Sequence, residues 1–150
     1  MMPFQAFTEK SDKIETQLIT KCYVNEPVLE WHYGLLLTEF RGLWDTGATH
    51  SGISKNVATL LNLIPVRQTT IFHANGQAVV NVYNISTVLP NNIFVPLITV
   101  AEGTFSGFDL LIGMDIITQG DFSISNKDGK TVFGFRMPSY KEIDFSNSDV

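Results

Sequence analysis

Gly42-Leu43-Trp44-Asp45-Thr46-Gly47-Ala48-Thr49 is the stretch on which the fold turns, an apolar run that ends abruptly in an acid, a hydroxyl and a glycine. A strand anchored by Leu43 and Trp44 can hold a carboxylate rigidly at its end, while Gly47 lets the backbone turn closely beneath it. The loop so formed presents Asp45 instead of burying it. Asp, Thr and Gly are also ordinary turn residues, so the triplet alone specifies a turn and not a chemistry.

A second stretch supplies the missing context. In Asp109-Leu110-Leu111-Ile112-Gly113-Met114-Asp115-Ile116-Ile117 an apolar strand ends in glycine and feeds a short helix. Together the two segments resemble the retropepsin family of aspartic peptidases. That family carries a hydrophobic-Asp-Thr-Gly-Ala loop and, later, two hydrophobic residues and a glycine before a helix. The first pattern falls here on Leu43, Trp44, Asp45, Thr46, Gly47 and Ala48, and the second on Leu111, Ile112 and Gly113. In element order the likeness extends over residues 19–136. It implies an all-β, closed-barrel domain with a flap hairpin and one or two short helices, assembled as a homodimer around a peptide cleft.

The surrounding chain fits such an architecture. Short β-branched and aromatic runs separated by turn residues predict strands over 15–24, 31–37, 41–45, 66–73, 77–89, 93–102, 109–112, 122–126 and 131–136. One helix is expected over 54–61, where Ser54 can cap the first turn and Val57, Leu60 and Leu61 recur at helical spacing, with Pro65 beyond it. A second helical turn begins near Met114, with Asp115 close to its positive end, and stops at Gly120. Residues 1–137 read as one peptidase domain, and 138–150 as a polar, acidic and poorly ordered tail.

Asn75-Gly76 is a strong two-residue hairpin signal, since both residues tolerate positive φ. With that tip, Ala74 pairs with Gln77, Phe72 with Val79 on one face and Ile71 with Val80 on the other. By its order between the first helix and the second motif, the hairpin resembles the family's flap, which implies substrate contact by Phe72, His73, Ala74, Asn75 and Gly76. Its tip departs from the glycine-rich flaps of many retropepsins in having only Gly76.

Peptide hydrolysis in this class pairs an ionised carboxylate, which takes a proton from water, with a protonated one, which polarises the scissile carbonyl. The sequence contains a single Asp-Thr-Gly, so the second Asp45 must come from another copy, and a two-fold dimer supplies it. The resemblance gives Asp45 the catalytic role and has Thr46 hydrogen-bonding across the axis. Ala48 stands where pepsin-like loops commonly place a serine. The nucleophile is water, with no cofactor and no metal.

Composition narrows the alternatives. The 150 residues are 44% hydrophobic and 17% charged, with eleven Phe, enough apolar surface for one core. A net charge of −5 and the lack of a basic stripe argue against nucleic acid as partner. No run approaches the ~20 apolar residues of a membrane span, and no basic-then-apolar leader opens the chain, so a cytoplasmic location is expected. The lone Cys22, in a strand-like run, reads as a buried small hydrophobe. His32, His50 and His73 share no metal-ligand spacing, though His50 lies near enough to Asp45 to tune it. The expected activity is aspartic endopeptidase. The competing reading is a catalytically silent dimeric module that keeps the peptide groove.

Overall fold

The computed structural model describes residues 5–146. Ten strands form two sheets: β1 (Gln5–Lys10), β2 (Leu18–Asn25), β3 (Glu39–Trp44), β4 (Gly52–Ser54), β5 (Arg67–His73), β6 (Gly76–Leu89), β7 (Ile93–Gly103), β8 (Leu110–Ile112), β9 (Asp121–Ser125) and β10 (Val132–Met137). Two short helices, α1 (Lys55–Leu60) and α2 (Met114–Ile117), interrupt them.

The larger sheet runs β2-β3-β8-β4-β7-β6-β5, and β2 also pairs with the far end of β6, through Tyr23↔Val88 to Asn25↔Ser86. That extra pairing closes six strands into a barrel and leaves β5 outside the ring. A register shift between Ile85 and Thr87 bends β6, which keeps its ladder with β7 as far as Leu89 while its other edge meets β2. At this bend the Ser86 hydroxyl, fully buried, donates to the Pro96 carbonyl and accepts from the Val28 amide.

The alternation of the strands fills the interior with Val24, Ile53, Ile85, Leu89, Ile93, Val100, Leu110 and Ile112. The smaller antiparallel sheet, β1-β10-β9, lays Phe7, Phe133 and Phe135 on the same core. Helix α1 begins as its sequence dictates: Ser54 is extended and its hydroxyl accepts from the Val57 amide at 3.2 Å.

The expected all-β barrel is present, with three local corrections. Residues 31–37 are not a strand: residues 33–36 wind into a 3₁₀ turn that puts Leu35 alone into the core, where its carbonyl accepts from Asn25 Nδ2 at 3.0 Å. The first predicted strand starts at Leu18, because residues 11–17 instead turn the chain between the two sheets. Strands β1 and β4 were not expected, since each owes its conformation to distant partners and not to its own pattern.

The predicted tail is described as far as Ser146. Ser139, Tyr140 and Lys141 all donate to the Asp121 carboxylate. Residues 147–150 of that tail, and the first four of the expected domain, lie outside the described residues. Cys22 is buried as anticipated, and burial pushes its thiol well above the ordinary range. Among the described residues no helix is long and apolar enough to cross a membrane.

Candidate active site

Asp45 follows directly on β3, and the strand before it is fixed in depth. Trp44 is buried with its indole Nε1–H donating to Thr20 Oγ1 at 2.9 Å. Its ring stacks on Phe122 with centroids 5.8 Å apart and touches Phe135 and Phe7 at 5.1 and 5.5 Å. The residue before the carboxylate therefore ties the barrel to the small sheet, and leaves Asp45 little freedom of position.

Topology then forces a close crossing. Strand β8 lies between β3, to which it is parallel, and β4, to which it is antiparallel. The chain from β3 to β4, residues 45–51, must consequently pass over the end of β8, where Gly113 stands. A Cβ on Gly113 would sit 2.8 Å from the Ala48 carbonyl oxygen and from the His50 carbonyl carbon and oxygen. Only glycine fits beneath the loop. Two backbone bonds cross-link the motifs there: the Asp45 amide donates to the Ile112 carbonyl at 2.9 Å, and the Met114 amide to the Ala48 carbonyl at 2.8 Å.

Side chains complete the clamp. Ser51 is 2% exposed, and its hydroxyl donates to Asp115 Oδ1 at 2.6 Å while accepting from the Gly113 amide at 3.0 Å. Its own amide donates to Asp115 Oδ2 at 2.9 Å. Asp115 was expected to act through the helix terminus. It does more, holding the far end of the Asp45 loop against α2. Ser51 carried no signal in the sequence, because its role depends on a residue 64 positions away.

Within the loop, Asp45 Oδ1 accepts from the Gly47 amide at 2.8 Å, and the Ala48 amide donates to the Asp45 carbonyl at 3.2 Å. Thr46, Gly47, Thr49 and His50 are exposed, and Asp45 is partly so. Ala48 offers the carboxylate no side-chain hydrogen bond. Asp45 and Thr46 open onto a hollow of about 480 Å³ whose other wall includes Phe122 and Ile124 of β9 and the segment from Glu15 to Leu18. The structure thus brings the Asp45 loop and the Leu111-Ile112-Gly113 motif together, with Leu111 directly opposite Leu43.

The hairpin is present, with its register slipped from expectation. His73 pairs with Gly76, Phe72 with Gln77, Ile71 with Ala78 and Thr70 with Val79, so Ala74 and Asn75 form the tip. Gly76 alone takes the positive φ, at +124°, and the Asn75 amide donates to His73 Nδ1 at 3.2 Å. A turn of this kind needs one permissive residue where the expected one needs two, so it leaves Asn75 at negative φ. Sliding by one residue on each strand preserves the faces. Phe72, 81% exposed, and Val79 lie on the outer face, whereas Thr69, Ile71, Ala78 and Val80 are partly covered and face the body. The tip residues from Phe72 to Gly76 do not line the hollow at Asp45. Among the described residues no group of three or more His, Cys, Asp or Glu side chains is placed to hold a metal.

Comparison with solved structures returns the same fold. A retropepsin-like aspartic protease from Rickettsia conorii matches at 15% identity and a TM-score of 0.57, over 89% of this chain and 95% of that one. EIAV protease in complex with the inhibitor HBY-793 matches at 17% identity and 0.50, over 69% and 88%. The retroviral protease-like domain of Ddi1 from Leishmania major matches at 17% and 0.50, over 76% and 85%. No curated protein matches. The profile of the family described as "gag-polyprotein putative aspartyl protease" covers residues 38–119, more than half of the chain and both motifs. With its loop, motif and closed barrel in retropepsin arrangement, the chain belongs to this aspartyl protease family.

Proposed function

We propose that the protein is an aspartic endopeptidase whose active site is shared by two copies of the chain, with Asp45 of each facing the other across a two-fold axis. The observation that carries this reading is the Asp45 loop itself, a partly exposed carboxylate held by a buried tryptophan on one side and a cross-linked backbone crossing on the other. Such rigidity has a use where a carboxylate must meet a partner group within a fraction of an ångström.

In the dimer one Asp45 is ionised and takes a proton from the attacking water, while the other is protonated and donates to the scissile carbonyl. The water oxygen bonds to the carbonyl carbon, and the resulting diol collapses with the proton delivered to the leaving amine. Two carboxylates in contact share one proton, so activity follows a bell-shaped pH dependence. The exposed hydroxyl of Thr46 bonds its counterpart across the axis, and Gly47 and Ala48 complete the loop. The hollow containing Asp45 and Thr46 is bordered by β9, which has no partner along its outer edge among the described residues, so this side is open to a second copy. The hairpin from Arg67 to Leu89 acts as a flap over bound peptide. Residues 1–137 make up the catalytic unit, with 138–150 outside it.

Substitution Asp45→Asn tests the assignment. It should abolish cleavage of a diverse peptide library, and the wild-type cleavage should be blocked by a pepstatin-like inhibitor, while the assembly keeps its size. Peptide binding without cleavage by the wild type would instead favour a silent groove.

A further inference from the structure

The hairpin formed by β5 and β6 is a cantilever. Strand β6 pairs with β5 from Gly76 to Val82 and with β7 from Val82 to Leu89, so the two ladders overlap at Val82 alone. Outward of that residue the hairpin is a two-stranded ribbon to which no third strand pairs among the described residues, and such ribbons are marginal by themselves. Its backbone joins the barrel at that residue, so side-chain bonds at residues 81–83 are placed to set its angle.

A chain of polar side chains occupies that place. Gln68 Nε2 donates to Asn81 Oδ1 at 3.2 Å, Asn81 Nδ2 donates to the Tyr83 hydroxyl at 3.3 Å, and the hydroxyl donates to Glu102 Oε2 at 2.9 Å. Gln68 and Asn81 are direct cross-strand partners. Tyr83 is 4% exposed with its ring in the core, so its position is set by the barrel, and burial together with the Glu102 carboxylate raises its pKa. The hydroxyl stays protonated and can give and accept one bond at once. Glu102 lies near the end of β7, opposite Ile53 of β4, the strand into which the Asp45 loop runs.

We infer that Tyr83 is a positioning residue: its hydroxyl, through Glu102 and Asn81, pins the root of the hairpin to β7 beside β4, the strand into which the Asp45 loop runs. The consequence for peptide binding rests on the flap role proposed above, whereas the pinning itself does not. A hydrogen bond to a carboxylate is among the stronger neutral-to-charged contacts, and its loss at a hinge frees the ribbon without opening the barrel. Tyr83→Phe keeps the ring in the core and removes only the hydroxyl.

The experiment is amide hydrogen exchange on the full chain, comparing wild type with Tyr83→Phe, Glu102→Ala and Glu102→Gln, each also assayed for kcat and KM on one cleaved peptide. Tyr83→Phe and Glu102→Ala should accelerate exchange over residues 68–80 by up to about tenfold, the scale of one such bond, with β3 and β8 amides unchanged. Glu102→Gln retains an acceptor and should restore most of the protection. In Tyr83→Phe, KM should rise severalfold with a smaller change in kcat. Unchanged exchange in the hairpin, or acceleration spread evenly through the barrel, would overturn the inference. Selective acceleration with unchanged KM and kcat would leave the pin standing and remove the flap reading.

Discussion

Gly113→Ala probes the crossing beneath the Asp45 loop with a single methyl group. The added Cβ would meet three backbone atoms of Ala48 and His50 at 2.8 Å, so no side chain can rotate away and the loop or α2 has to move by several tenths of an ångström. Gly113 is extended, with φ −96° and ψ −171°, so alanine meets no backbone penalty and the whole cost is steric. Overpacking of this kind costs about 1–3 kcal/mol, and for a chain of this size that lowers Tm by roughly 2 to 12 °C. The displacement falls on the segment that orients Asp45, so peptide cleavage should drop by about a hundredfold as well. Gly47→Ala is the contrast: its Cβ would meet only Asp45 Oδ1, at 3.1 Å, so stability should change little while the carboxylate is disturbed. Thermal unfolding at one fixed protein concentration and kcat/KM on one peptide, measured for both variants, decide the matter. Wild-type stability and activity in Gly113→Ala would refute the crossing argument.

Asp115→Ala strands the Ser51 amide and hydroxyl and should destabilise the fold by about 1.5–3 kcal/mol, whereas Ser51→Ala keeps the backbone bond and should cost less; equal Tm values for wild type and Asp115→Ala would exclude the clamp. The Ser139 hydroxyl, the Tyr140 amide and the Arg136 guanidinium hold the Asp121 carboxyl well below the usual carboxylate range. Its contribution to stability is therefore complete above the unfolded value of about 4 and is lost as pH falls below it toward the folded value. Asp121→Asn should flatten the fall of Tm on acidification below about pH 4, and an unchanged slope would contradict the contacts. Cys22 should resist alkylation in the native protein and react on unfolding, since only the thiolate attacks and burial disfavours it.

Much of the site was legible because its chemistry is local in sequence. An apolar strand delivering Asp45 to a Thr46-Gly47 turn, and a second ending in Ile112-Gly113, can be read residue by residue, as can the Ser54 cap and the β-branched runs of β6 and β7. What the sequence hid is what depends on distance along the chain. Ser51 and Asp115 look like turn and helix-start residues until the fold sets them 2.6 Å apart. Strand β1 is defined by its pairing with β10, and the Tyr83 hydroxyl meets Glu102, 19 positions along the chain, only once β6 and β7 lie side by side. Residues 31–37 misled for the converse reason: their pattern suits a strand, yet among the described residues no strand forms a ladder with them, and the chain winds to bury Leu35 instead. The hairpin was foreseen, but its tip was misplaced because Gly76 can serve two turn geometries and the sequence does not choose between them.

The shared active site is tested most directly by mixing. A fixed amount of wild-type protein is equilibrated with an equal amount of Asp45→Asn protein, and peptide cleavage is followed once the chains have exchanged. If each site needs Asp45 from both copies, half of the wild-type chains end up in inactive mixed dimers and activity falls to about half, declining further as more variant is added. Activity that stays at its starting value however much Asp45→Asn protein is present, with exchange verified by a size or tag difference, would mean that each chain works alone and would contradict the account.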